Sequence, residues 1–321
     1  MSRVKQLLFG KLQALVLIPI IGALSWLQPG AASETASERI LFDAHSHLFE
    51  AGSDVDLAFF YGMAGVGKVL LFPGYSRSAE EWHLYRARLE RLRELLPEQI
   101  YLGTDIPIDS ATNQLALSST TVDRIRSDLV SGDYVAIGEL TPRHRAFGTE
   151  TPVDHPILLK IYRLVSSTNQ NTQINVPVII HVEQEFISEL RSALYKNLNT
   201  TFIWAHAGDA DPASVFRLMK LHSNLWIDIS CRNPLYVRHP PMEEQSLTLD
   251  DDEKTLKPDW QRVFETFSDR VLFGSDLGPP ERYEQAAEMI KYYQHVLDQL
   301  PDETAQKIAS GNITRLLRLD D

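Results

Sequence analysis

Cysteine is nearly absent: Cys231 is the only one in 321 residues, so no disulfide can form within the chain and the fold must rest on its core. Basic residues are scarce too. The chain carries 31 lysines and arginines against 43 aspartates and glutamates, a formal net charge of −12. A surface of that sign repels nucleic acid and anionic lipid. Internal repeats and low-complexity segments are also lacking. With 44% apolar residues, the length suits one large α/β domain as well as two small ones.

The longest apolar run, "LQALVLIPIIGALSWL", covers about 16 residues, slightly short for a bilayer span. Arg3, Lys5 and Lys11 precede it and the small residues of "QPGAAS" follow, the order of a secretory signal peptide. We therefore expect residues 1–32 to be removed near Ala32 or Ser33, leaving an exported chain, periplasmic or extracellular, of formal charge about −15. An uncleaved N-terminal anchor is the alternative, and only then would a membrane be a partner. A lipoprotein-type anchor would need a cysteine here, and there is none.

After a linker over residues 33–39, "SETASER", eight apolar, β-rich runs alternate with helical patterns from residue 40 to the end. The runs are "ILFDAHSH" (40–47), "KVLLFPG" (68–74), "IYLGTDI" (100–106), "YVAIGEL" (134–140), "VPVIIHV" (176–182), "TFIWAHAG" (201–208), "LWIDIS" (225–230) and "RVLFGSD" (270–276). Continuous apolar strands separated by amphipathic helices imply a parallel sheet covered on its outer face, and eight of them fit a closed (β/α)8 TIM barrel. An open doubly wound sheet is the alternative. The longest irregular stretch, 231–257, reads as a substrate loop or lid at the rim, or as a plain solvated loop.

In a parallel barrel, chemistry sits at the C-terminal ends of the strands. His45 and His47 end the first strand, where i and i+2 share a face; Glu139 lies near the end of the fourth, and His181, His206 and Asp276 end the fifth, sixth and eighth. Six imidazole and carboxylate groups on one rim exceed what one tetrahedral ion requires, which leaves room for two. His144 and His239 fall in rim loops, whereas His83, His155, His222 and His295 fall on helical patterns away from the rim.

"DAHSH", "AIGEL", "VIIHVE", "IWAHAG" and "VLFGSDLGP", in that order from residue 40 to residue 280, resemble the amidohydrolase superfamily, in particular its amidohydrolase-related branch of metal-dependent hydrolases. The resemblance implies that His45, His47 and Asp276 bind the more buried metal, and that His181 and His206 bind a second if one is present. Glu139 stands where binuclear relatives carry a carboxylated lysine and the TatD-like branch a glutamate. It implies a divalent cofactor, Zn2+ first, with Mn2+ or another divalent ion as alternatives, in one or two copies.

In that scheme Asp276 holds a metal-activated water and takes its proton, while His181, His206 or the metal stabilises the developing oxyanion. The expected substrate is a small molecule with an amide, ester or lactone bond. Arg143 and Arg232 are candidates for binding an anionic group on it, and Asp43 for orienting a ligand histidine. A TatD-like nuclease or phosphodiesterase, a non-oxidative decarboxylase using Arg232, and a catalytically silent barrel are the rival readings. Mass spectrometry of protein recovered from an exporting host should find the chain starting near Ala32 or Ser33; an intact Met1 chain retained in the cytoplasm would remove the export reading.

Overall fold

The computed structural model describes residues 39–48, 65–76, 78–171, 175–236, 247–252, 254–278 and 280–319, all within one compact unit, Ser37–Asp321. The expected signal peptide, most of the linker and the loop residues 237–246, His239 among them, lie outside the described residues. Among the described residues, no helix is long and apolar enough to cross a membrane.

Eight parallel strands run in chain order around one sheet: β1 Leu41–Leu48, β2 Val66–Pro73, β3 Ile100–Thr104, β4 Tyr134–His144, β5 Val178–Val182, β6 Phe202–Trp204, β7 Leu225–Asp228 and β8 Val271–Leu272. Both faces are covered, so the alternation of a half-exposed strand is lost: every residue of β1 and of β5 is buried. Helices fill the six crossovers from β2 to β8: α1 Ala79–Leu95, α2 Ser119–Ser131, α3 Pro156–Asn171, α4 Ile187–Lys196, α5 Pro212–Leu221 and α6 Pro258–Thr266. Ser78, Ser118 and Asp211 cap three of them, each side chain accepting a hydrogen bond from a backbone N–H in the first turn.

Backbone hydrogen bonds join the two ends of the sheet. The Ala44 N–H donates to the Phe273 carbonyl at 3.0 Å, and the Ser275 and Asp276 N–H groups donate to the His45 carbonyl at 3.2 and 2.7 Å. The fold is the TIM barrel that the spacing of apolar runs predicts. A buried cluster draws Phe42, Leu70, Ala136, Ile179, Ile203 and Leu272 from six different strands, which can meet only inside such a ring, and Ile313 and Leu316 near the C-terminus pack against it.

Two irregularities re-aim side chains. Between Asp43 and Ser46, β1 spends three residues where β2 spends two, and β4 does the same against β5 between Ile137 and Leu140. Each is a β-bulge, and they fall at His45 and Glu139. At Gly138, beside the second bulge, φ is +135° and an added Cβ would lie 2.5 Å from the Ile179 carbonyl oxygen. Only glycine fits there. Gly138→Ala should therefore cost about 3 kcal/mol or more in urea unfolding, with Glu139 displaced; an unchanged midpoint would show that the bulge tolerates a side chain.

Candidate functional site

His45 and His47 turn their Nε2 atoms toward one point, 3.2 Å apart. Their other ring nitrogens are held from outside it: His45 Nδ1 lies 3.1 Å from Asp228 Oδ2, and His47 Nδ1 lies 3.0 Å from the Pro73 carbonyl oxygen. A carbonyl can only accept, so His47 carries its proton on Nδ1 when neutral and offers the Nε2 lone pair inward. This is the arrangement of a metal-ligating histidine anchored by an outer partner.

Asp276 completes the point. Its Oδ2 accepts from Cys231 Sγ at 3.0 Å and from Arg282 Nη1 at 2.7 Å, whereas its Oδ1 is buried without a hydrogen-bond partner, 3.4 Å from His47 Nε2 and 3.8 Å from His45 Nε2. A buried carboxylate oxygen left unpaired is expensive unless a cation belongs beside it. Ligand atoms about 2.1 Å from one tetrahedral ion stand about 3.4 Å apart. The spacings fit, and ligand atoms of His45, His47, Glu139 and Asp276 all lie within 4.8 Å of one another.

Glu139 joins this group to a second. Its Oε1 lies 3.1 Å from His181 Nδ1 and 3.4 Å from His206 Nε2, while its Oε2 accepts a short hydrogen bond from the Tyr75 hydroxyl. Glu139, His181 and His206 form a buried triad that shares its carboxylate with the first group. The six residues singled out at the strand ends are thus brought together, in an arrangement able to hold one ion or two.

Burial works against every charge here, and the neighbours decide the outcome. Burial lowers the affinity of His181 for a proton, but hydrogen bonds to Glu139 and Glu183 outweigh it and raise its pKa to about 10. For His45 burial is again outweighed, by Asp228 and Glu139, and its pKa stands well above the usual value. Asp276 is opposed by burial yet held below the ordinary carboxylate range by Arg282, His206 and His45. Burial, with Glu139 and Asp276 beside it, pushes the Tyr75 phenol well above its normal value, so it keeps its proton.

Backbone strain collects at the same place. His206, Ala207 and Asp209 hold φ of 55°, 49° and 53° around Gly208 at 63°, and Cys231 and Asp276 hold 58° and 50°. Left-handed backbone costs a non-glycine residue about 1 kcal/mol or more, and such residues cluster where function needs them.

Three expectations need revision. Arg143 does not face a substrate: it forms an ion pair with Glu189 at 2.6 Å and stacks on Phe186. Arg232 is wholly buried, with its guanidinium on backbone carbonyls, because those carbonyls lie within the wall just behind the strand end. Asp43 does not touch a ring nitrogen; its Oδ1 accepts from the backbone N–H groups of His45 and Ser275 and so ties β1 to the segment after β8. The outer partner of His45 is Asp228. It ends β7 as the other site residues end theirs, a signal present in "LWIDIS". Nothing in the pattern announces Tyr75, Arg282 or Glu183, which follow strands or lie beyond them. His144 stacks on His181 with ring centres 3.9 Å apart.

A family model described as amidohydrolase matches residues 171–319, a little under half of the chain, which contains His181, His206 and Asp276. That segment is similar to the amidohydrolase family. Solved structures extend the likeness over the barrel. A TIM-barrel protein of Bordetella bronchiseptica is 13% identical with a TM-score of 0.63, over 87% of this chain and 98% of that one. A probable 2-pyrone-4,6-dicarboxylic acid hydrolase of Acinetobacter baumannii, with citric acid bound, is 15% identical with a TM-score of 0.57, over 87% and 99%. An amidohydrolase 2 of Bifidobacterium longum subsp. infantis is 15% identical with a TM-score of 0.52, over 87% and 98%. At these identities the likeness establishes the fold. Comparison with curated proteins gives no match.

The His181 pKa fixes a pH dependence for chelator-treated protein. The group is raised from about 6.5 to about 10 in the fold, so the stability it contributes is fully present below about pH 6.5 and is lost as pH climbs to about 10. The melting temperature of chelated protein should fall across that window while zinc affinity rises, since zinc must displace the same proton. A flat melting profile would mean that Glu139 and His181 are not paired.

Proposed function

We propose that this amidohydrolase barrel is a metal-dependent hydrolase that cleaves an amide, ester or lactone bond in a small molecule. The observation that carries the reading is Asp276 Oδ1, buried and without a partner, aimed at the Nε2 atoms of His45 and His47. His45, His47 and Asp276 would hold one divalent ion, Zn2+ first by ligand type, and Glu139, His181 and His206 a second. A divalent ion held there supplies Lewis acidity, which acidifies water and polarises a carbonyl.

The protein's own groups do the rest. Asp276 Oδ1 is the proton acceptor, placed by the hold of Arg282 and Cys231 on Oδ2, and the proton it takes passes on to the leaving group. His206, fixed by its Nδ1 on Ser230 Oγ at 2.7 Å, presents Nε2 to the second ion that it would help hold. Tyr75, protonated, donates to Glu139 and keeps that carboxylate oriented. A small-molecule substrate agrees with the neighbour described as a probable hydrolase of 2-pyrone-4,6-dicarboxylic acid. The decarboxylase alternative leaned on Arg232 at the mouth, and the burial of that residue removes its support. An exported location remains part of this proposal, resting on the N-terminal sequence alone.

Elemental mass spectrometry on signal-free, untagged protein should find one or two equivalents of zinc, with at least one lost in His45→Ala and in His47→Ala. Asp276→Asn, refolded with zinc and tested on ester, lactone and amide panels, should lose about 100-fold to 10,000-fold in kcat. Zinc-loaded Asp276→Asn with undiminished turnover would sink the proton-transfer role, and retention of full metal by both histidine variants would sink the site.

A further inference from the structure

The turn after β6 is held from behind by a residue whose role neither the sequence pattern nor the proposed chemistry explains. His206, Ala207, Gly208 and Asp209 make one left-handed turn, and a helical turn of either hand points its carbonyl groups toward its C-terminal end. Arg232 stands there with no exposure. Its Nε donates to the His206 carbonyl at 2.7 Å and its Nη2 to the Ala210 and Ala207 carbonyls at 2.9 and 3.3 Å, while Nη1 reaches the Leu247 carbonyl at 3.3 Å. The guanidinium carbon lies 4.9 Å from the centre of the Trp260 ring. A planar fork with five N–H donors can serve several convergent carbonyls; a lysine ammonium cannot reproduce that shape.

We infer that Arg232 is a positioning residue: its guanidinium holds the left-handed turn 206–210 and thereby sets where the His206 imidazole stands in the site. Inside the site the His206 ring stacks on His45 with centres 5.2 Å apart and its Nε2 lies 3.4 Å from Glu139 Oε1; its remaining anchors belong to the turn. Its N–H donates to Asp228 Oδ1 at 3.1 Å and its Nδ1 meets Ser230 Oγ at 2.7 Å, and both contacts require the turn to keep its shape. The strain of the turn is thus balanced by a buried cation from the next βα loop. For its effect on metal binding the inference rests on the proposed metal reading; for the turn itself it does not.

The test uses zinc as the probe metal, measured by chelator competition, together with amide hydrogen exchange. Arg232→Lys should weaken the His206-dependent zinc site at least tenfold and speed exchange at 206–210 at least tenfold, with β2 to β4 unchanged. Arg232→Lys combined with His206→Ala should bind zinc no more weakly than His206→Ala alone, because both act through one imidazole. Should the lysine variant fail to fold, Trp260→Phe carries the test. Trp260 Nε1 has no hydrogen-bond partner, so this change trims only the stacked surface and should give the same effects at several-fold.

A folded variant with wild-type zinc affinity overturns the proposal, whether or not exchange at 206–210 has changed, since faster exchange alone would make Arg232 a residue of the fold only. Full additivity with His206→Ala overturns it as well. Wild-type protein that binds no zinc defeats the metal reading instead, and the exchange at 206–210 then decides whether Arg232 holds the turn.

Discussion

A carboxylate with no exposure to solvent, Asp228, ties together the parts on which the site depends. Its Oδ2 faces His45 Nδ1, and its Oδ1 accepts from the backbone N–H groups of His206 and Ser230, at 3.1 and 3.0 Å, and from the Ser230 hydroxyl. One side chain at the end of β7 thus fixes a ring on β1, the turn after β6 and its own loop. A buried carboxylate is costly unless its lone pairs are used, and here they are used on elements far apart in sequence. Burial pushes the Asp228 pKa up, but His45 and His206 outweigh it and hold the carboxylate below the usual range.

Around that anchor the barrel departs from regular geometry at the places where its polar residues stand. The bulges in β1 and β4 and the positive φ at His206, Cys231 and Asp276 are departures that a chain selected for stability alone would lack. They stand among strands whose side chains are for the most part buried and apolar. The polar residues in turn avoid the cost of isolation by sharing partners: Glu139 serves His181, His206 and Tyr75, and Asp276 serves Cys231 and Arg282.

The strands were legible because a parallel sheet covered on both faces leaves an unbroken apolar run, and "VPVIIHV" or "TFIWAHAG" has few other meanings. The ends of those runs were legible for the same reason: a histidine or acid closing an apolar strand has only the rim to face. Asp228 shows the limit. It sits inside "LWIDIS" in the same position, but its worth lies in a contact with a ring 183 residues earlier, which no local pattern encodes. Arg143 and Arg232 mark a second limit, since a long flexible side chain goes where tertiary partners take it, one to Glu189 and the other into the wall. The bulges were invisible because a register slip belongs to a pair of strands rather than to either sequence.

The seam between β1 and the segment after β8 has a consequence for how the molecule is made. Asp43 accepts from Ser275 across 232 residues, and Asp276 reaches the histidines of β1 only when that seam has closed. Synthesis runs from the N-terminus, so His45, His47, His181 and His206 all emerge long before the group that completes their site, and a fold dominated by such distant contacts assembles late. A partial chain would therefore hold its imidazoles and Glu139 without Asp276. The last strand acts as a keystone, and the cluster of strand-end residues is completed in the same event that shuts the ring.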